Sequence, residues 1–504
     1  WLKDLTLERN LPSGSDDSDS YQAIGIEMYE GWTVKLENVT SRCVVMNMVT
    51  GSVLFVENSV FECDDLGQYA HFVMSGGDGD REIYMQKGYY HKFATTLEVS
   101  DSTFTGGQSL RMSGSIQWAG GSWTRLPPVI AHFQDCTFTR STVAIEKGMV
   151  ATFRDCTFEE ADRAVSVDSA FVAFQRCKFT ECNGLYGAAF NGGGQDMRMT
   201  DPAMNVQFMD SDFIDCEATD RGGAMLLRES SYVMMRDSRM TGCTAAMGGA
   251  IFAMGSGAGL TLLNVTFNGN EAWEGGGGAL ALTTTTDSIK PQEYITAVPT
   301  AYDISGSTFV NNSAKDGGAI LAAFSSIAIH NSTFTENTAL DRGGAVFLQA
   351  SEGGSFARVG NVTFKTNDAF RGGAFMVDLV EAGVMELHDV VINDNKAMSA
   401  AAGAYVQYRV PRRSVNEYEY TRLYDNGGVV YARVPGDEMV PASYLLKDRK
   451  PFRMVNAVIT DNVCQQQSDV EPAHGGGIFF YPYYYAVTTP TAGDENPVSV
   501  DTSC

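Results

Sequence analysis

The sequence predicts an all-β fold, a right-handed parallel β-helix (β-solenoid) with loop insertions, and three observations carry that expectation. A unit built as an apolar "TF" strand, then Asn or Cys, then Gly-Gly-Ala recurs along the chain, in copies such as "STFVNNSAKDGGAIL", "STFTENTALDRGGAVFL" and "SDFIDCEATDRGGAMLL". The shortest steps between copies are 20 and 21 residues, the length of one solenoid coil and too short for a helical repeat. Within each copy apolar and polar residues alternate, with Thr, Val, Phe and Ile favoured, which is the period of a strand.

The repeat anchors run through Phe138, Phe158, Phe179, Phe213, Met240, Phe267, Phe309, Phe334, Phe364, Ile392 and Ile459. In parallel coils spaced ~4.8 Å apart, inward rings at these positions stack into a column. Three residues on, Asn270, Asn312, Asn337, Asn367, Asn395 and Asn462 fall at a bend, where stacked amides can bond along the axis. Cys182, Cys216 and Cys243 take that position in other copies. Gly-Gly-Ala supplies a corner with positive φ and room for close backbone approach. These are structural roles, and they absorb most of the repeat's motif.

The expected organisation is N-terminal coils with irregular insertions over 1–130, a regular β-helix over 131–405, an insertion over 406–455, and the last coils with a cap or tail over 456–504. "TLEVSDSTFTGG" and "LENVTSRC" read as coils in the first segment, whereas "QSLRMSGSIQWAGGSWTRLPP" does not repeat cleanly.

The 504 residues carry 36 Lys and Arg against 61 Asp and Glu, a formal charge of −25. That surface repels nucleic-acid phosphates and anionic headgroups, so neither nucleic acid nor direct membrane insertion is expected. No apolar run reaches the roughly 18 residues that span a bilayer. Without a basic n-region and an apolar h-region at Trp1, a secretion signal would lie outside the sequence given or have been removed.

The Gly-Gly-Ala-Ile and Phe-x-x-Asn alternation over roughly residues 130–480 resembles the repeat of the chlamydial polymorphic outer membrane proteins, related forms of which occur in algae and other protists. The resemblance implies a surface-exposed, often adhesive β-helix. Bacterial members end in a membrane barrel, and "TTPTAGDENPVSVDTSC" shows no series of alternating strands of that kind.

Five sequons begin at Asn38, Asn264, Asn311, Asn331 and Asn361. Three of them place the acceptor three residues before the inward Phe, which recommends real N-glycans and a secretory route to an extracellular or cell-surface site. Cys43 and Cys63, Cys136 and Cys156, and Cys156 and Cys177 are separated by 20, 20 and 21 residues. Residues so spaced stand one above another, within reach of a disulfide. The expected bridges are Cys43 with Cys63, two of Cys136, Cys156 and Cys177, and two of Cys182, Cys216 and Cys243, with Cys464 and Cys504 left as the remainder. A zinc site is disfavoured by the absence of C-x-x-C and the scatter of the histidines. "GGDGD" at 76–80 is a single calcium-turn-like stretch where a site needs tandem repeats.

Partner-binding candidates lie in the insertion, Tyr408, Arg409, Arg412, Arg413, Tyr418, Tyr420 and Arg422, and near the end of the chain, Tyr483, Tyr484 and Tyr485. They suit an acidic neighbouring copy or an acidic glycan. Carboxylate pairs such as Asp64 with Asp65 lack a recurring Arg or His, so no catalytic residue, cofactor or metal is assigned. The function expected is that of a non-enzymatic structural or scaffold glycoprotein of an extracellular filament, flagellar hair, wall or surface coat, with protein partners that include copies of itself. The alternatives are a surface adhesin for a protein or glycan and a pectate-lyase-like polysaccharide-cleaving enzyme.

Overall fold

A computed structural model of the chain describes residues 1–8, 25–28, 31–48, 51–63, 70–75, 95–113, 116–119, 122–125, 129–146, 149–193, 204–228, 231–255, 258–283, 301–349, 356–380, 384–411, 423–426, 429–434, 438–441, 452–464 and 477–485. Its strands pair in parallel from coil to coil, and the chain is an all-β parallel β-helix. Two compact units are present: Trp1–Ala281 with Gly306–Thr308, and Leu282–Ser305 with Phe309–Cys504.

One coil of the first unit shows how sequence becomes shape. Phe171–Gln175 runs along the first face, and Lys178–Thr180 continues that face after a bend. Asn183–Tyr186 forms the second face and Phe190–Gly192 the third. The two bends turn on Arg176 and Glu181, whose φ values of 52° lie in the left-handed region. The residue after each bend points inward: Cys177 and Cys182 are both buried. A coil of the second unit repeats the plan as Ser326–His330, Thr333–Thr335, Thr338–Arg342 and Val346–Gln349.

The aromatic column is present in both units. In the first it starts at Phe61, upstream of the regular repeat, and continues through Phe104, Phe138, Phe158, Phe179 and Phe213, with neighbouring centroids 4.6 to 5.0 Å apart and rings nearly parallel. In the second, Phe309, Phe334 and Phe364 stack at 4.6 and 5.0 Å. A further column, Phe133, Phe153, Phe174 and Phe208, meets the first edge to face. Each such contact adds ~0.5–1.5 kcal/mol beyond the area it buries.

Polar ladders close the two bends. In the second unit Asn337 Nδ2 donates to Phe309 O at 3.0 Å and to Asn367 Oδ1 at 3.0 Å, while Asn367 repeats the pattern onto Phe334 O and Asn395 Oδ1. Asn395 continues it onto Phe364 O and Asn462 Oδ1. The other bend carries serines whose hydroxyls donate to the carbonyl two residues back, as Ser211 does to Met209 and Ser238 to Arg236. Their oxygens accept from the coil below, as from Cys177 N and Ser211 N. The buried chain turns inward at both corners without orphaning these donors and acceptors.

The Gly-Gly corner is steric as well as conformational. Gly343 has φ of 63°, and a Cβ on Gly344 would run into the carbonyl oxygen of Gly373 in the next coil. The preceding arginine then covers the outside of the corner: Arg342 lies 4.4 Å from the Phe347 ring, and in the first unit Arg221 lies 5.2 Å from the Phe252 ring. This explains why Leu226, Phe252 and Ala281 are buried although they face away from the coil interior; Tyr186, Met247 and Met254 pack against them.

Two segments that do not repeat in the sequence are accounted for. Gln108–Ser113 is a third-face strand paired with Ala70–Ser75 and Thr142–Glu146, and the irregular stretch after it contains an antiparallel hairpin, Ile116–Ala119 with Ser122–Arg125. The expected insertion begins later than position 406 at the level of strands, because Ala404–Pro411 is a third-face strand. Beyond it, Leu423–Asn426, Val429–Val434 and Glu438–Pro441 form a small antiparallel sheet.

Candidate functional surface

With the repeat's motif spent on the interior, the exterior holds the groups that could act. All five sequon asparagines are exposed and all have φ between 51° and 55°. Four of them, Asn38, Asn264, Asn331 and Asn361, occupy the bend that precedes the short first-face strand; Asn38 belongs to this register because Ser41 pairs with Phe61. Asn311 sits at the following bend. Asn and Asp tolerate the left-handed conformation best among non-glycine residues, so the acceptor position is dictated locally by the turn. Their amides also bond along the outside, Asn38 to Asp4 Oδ1 at 2.8 Å, Asn264 to Asp237 Oδ1 at 2.7 Å and Asn361 to Asn331 Oδ1 at 2.8 Å.

The cysteines require a correction. Cys43 and Cys63 are joined, with Cα atoms 4.8 Å apart across one coil step. The six expected to give a bridge in each column, Cys136, Cys156, Cys177, Cys182, Cys216 and Cys243, are buried thiols, and Cys464 is a half-buried thiol. The physical reason lies in the ladders. Cys136, Cys156 and Cys177 stand where other coils have the bend serine, and Sγ donates to the carbonyl two residues back at 3.2, 3.3 and 3.6 Å. Cys182, Cys216 and Cys243 stand where other coils have the ladder asparagine. They reach Phe158 O, Phe179 O and Phe213 O, the carbonyls of the preceding coil that Asn337 and Asn367 reach in theirs. Hydrogen bonding with the thiols on either side, together with burial, pushes the middle members Cys156 and Cys216 above the ordinary thiol range, while the bond to Cys156 lowers its neighbour Cys177. Cys504 lies outside the described residues.

Several exterior arginines pair with carboxylates on neighbouring coils. Arg176 grips both oxygens of Asp155 at 2.6 Å, Arg239 grips Asp212 at 2.9 and 2.8 Å, and Arg342 grips Asp316 at 2.8 and 2.7 Å. Arg371 bonds Asp341 at 2.6 Å. Such pairs fix register and leave those arginines less free for an acidic ligand.

Exposed apolar residues occur on the first face, as at Phe171, Tyr232, Val391 and Val458, and also at one recurring position of the second face. On the second face the residue after the inward small residue points outward: Leu185 and Trp273 in the first unit, Leu340, Phe370 and Met398 in the second. Leu340 is 75% exposed and Met398 41%, and Phe370 is half-buried. Pairing of Ala369 with Ala397 sets Phe370 beside Met398 on neighbouring coils, and Leu340 is on the coil before. Sequence reasoning missed this ridge, although "GLY", "AWE", "ALD", "AFR" and "AMS" carry it in plain view.

Of the partner-binding candidates, the structure brings two groups together at the backbone: Tyr408 pairs with Pro482 and Arg409 with Tyr483, and the strands run on side by side through Tyr484 and Tyr485. Arg412, Arg413, Tyr418, Tyr420 and Arg422 lie outside the described residues, as does the 76–80 turn. Among the described residues no helix is long and apolar enough to cross a membrane, and no three His, Cys, Asp or Glu side chains gather as a metal site would require.

The family model for the right-handed beta helix region matches residues 114–291, and that for the Chlamydia polymorphic membrane protein repeat matches residues 306–323 and 331–349. Two copies of the repeat thus match the polymorphic-membrane-protein model, and the coils before them match the right-handed β-helix model. The two matched copies in the second unit contain the Asn312 and Asn337 ladder residues and the Gly-Gly-Ala corners at 317–319 and 343–345. No curated protein matches the chain. Among solved structures, a PL6 alginate lyase in complex with a trisaccharide is similar over 94% of this chain and 97% of that one, at 10% identity and a TM-score of 0.23, a level that carries no argument about activity.

Proposed function

We propose that this pmp-type β-helix is a non-enzymatic, N-glycosylated structural protein of an extracellular assembly (a filament, flagellar hair, wall or surface coat) and that it packs against copies of itself. The observation that carries the reading is the second-face ridge. Leu340, Phe370 and Met398 recur at one position of the repeat, outside a core that already has its own aromatic columns. A chain under selection only to fold gains nothing from repeating an exposed apolar residue there, whereas packing against a second apolar ridge removes it from water. The paired arginines and carboxylates beside it supply a polar rim.

Sedimentation of the glycosylated protein over a range of concentrations tests this. Concentration-dependent assembly that Leu340→Glu with Met398→Glu abolishes, with the thermal midpoint unchanged, is the expected result; assembly indifferent to both substitutions contradicts it. The second reading, a surface adhesin, draws on the matched repeat's description as a membrane-protein repeat. It predicts a monomer that binds cells or glycans through the same ridge. Polysaccharide cleavage has the least support, and a reducing-end assay on acidic polysaccharides checks it.

A further inference from the structure

Asn331 and Asn361 are sequon acceptors in successive coils of one unit, held in register by the bond from Asn331 N to Gly360 O at 3.0 Å. Their side chains touch: Asn361 Nδ2 donates to Asn331 Oδ1 at 2.8 Å. The other three acceptors are placed differently: Asn38 and Asn264 face the carboxylates of Asp4 and Asp237, and Asn311 lies at the other bend. The pair is therefore unlike the rest of the sequons. We infer that Asn331 and Asn361 are alternative acceptors, and that the folded protein carries one N-glycan between them. The inference rests on the glycoprotein reading proposed above and deepens it.

The chemistry sets the conflict. A lipid-linked diphospho-oligosaccharide gives up its anomeric carbon to Nδ2; the C1–O bond to diphosphate breaks, the N–C1 bond forms, and the nitrogen loses one proton. Each modified amide then keeps one N–H and carries a branched chain beginning at the nitrogen. With the coils ~4.8 Å apart, two such chains would begin side by side, from Asn residues whose backbones share the left-handed bend at φ of 51° and 53°. The coil pairing that aligns Thr333, Phe334 and Thr335 with Thr363, Phe364 and Lys365 fixes the two attachment points on adjacent coils, so both branched chains would have to share one patch of the exterior. Transfer happens on the unfolded chain, where the two sites are independent. The exclusion acts afterwards, by depleting doubly modified chains from the folded population.

The test is site occupancy by peptide mass spectrometry on protein expressed in a eukaryotic secretory host, comparing the secreted fraction with chains retained in the cell. Expected is loss of the doubly occupied form from the secreted fraction, with its retention inside. Thr333→Val removes one sequon while keeping the Asn331 side chain, and Thr363→Val does the reverse; each should raise occupancy at the remaining acceptor. Secreted, folded protein with both acceptors fully occupied overturns the inference while leaving the glycoprotein reading intact. Absence of glycan at all five sequons overturns both.

Discussion

At the scale of the residue, the repeat is a set of exchanges at fixed positions. The position three after the Phe must offer a donor to a buried carbonyl of the preceding coil, and both Asn and Cys do so. Cys243 is the transition between the two, since its own N–H already donates to Asn270 Oδ1 at 3.0 Å. Cys243→Asn should therefore be neutral or stabilising by up to about 1 kcal/mol, extending the amide ladder by one step, whereas Cys243→Leu strands the Phe213 carbonyl and should cost about 1–3 kcal/mol. Denaturant unfolding of the two variants distinguishes them; equal losses would remove the ladder role. The thiol assignment has its own check. In the native protein the six column cysteines should resist alkylation for as long as the fold persists, and all six should label once it is unfolded. If fewer than six label after unfolding without reductant, bridges exist in the columns. The sequence placed these cysteines in columns but could not say whether the sulfurs face each other or a carbonyl, because that depends on a side-chain torsion and not on coil spacing.

At the scale of the element, bends and faces are set by a few residues each and were unequally legible. The Phe column, the Asn ladder and the glycine corners follow from the 20-residue period, so they could be read directly. The second Phe column was present as "HFQDC", "TFRDC" and "AFQRC" but hidden, since a second aromatic five residues before the anchor looks like ordinary strand filling. The serine ladder was overlooked for the same reason: Ser before "TF" reads as turn chemistry until its oxygen is seen to accept from the preceding coil. The outer pairs are also a property of stacked elements. Hydrogen bonding from Arg176 holds the Asp155 carboxyl below the usual carboxylate range. A group whose folded pKa is depressed contributes stability above its unfolded pKa and loses it as pH falls through the folded one. Asp155→Asn should thus lower the thermal midpoint slightly at pH 7, by the equivalent of at most about 1 kcal/mol for so exposed a pair, and the difference from wild type should begin to shrink near about pH 4 and vanish only beneath the depressed folded pKa. A difference that grows on acidification would contradict the pairing.

At the scale of the whole molecule, the division of labour is between an interior that consumes the repeat and an exterior that carries sequons, paired charge and an apolar ridge. Fold class was legible because a coil repeats some dozen times, so weak local signals add. The ridge was not, because each outward Leu, Phe or Met is individually ordinary and acquires meaning only when successive coils place them together. The partner-binding residues chosen from the 406–455 segment illustrate the opposite case: Tyr408 and Arg409 are distant from Tyr483 in sequence, and only strand pairing sets them side by side. The most direct measurement is imaging of the native assembly at side-chain resolution. The account predicts Phe309, Phe334 and Phe364 stacked inside, Asn337 and Asn367 bonded from coil to coil, and Leu340, Phe370 and Met398 buried against another copy. Isolated molecules with those three side chains in solvent would contradict it.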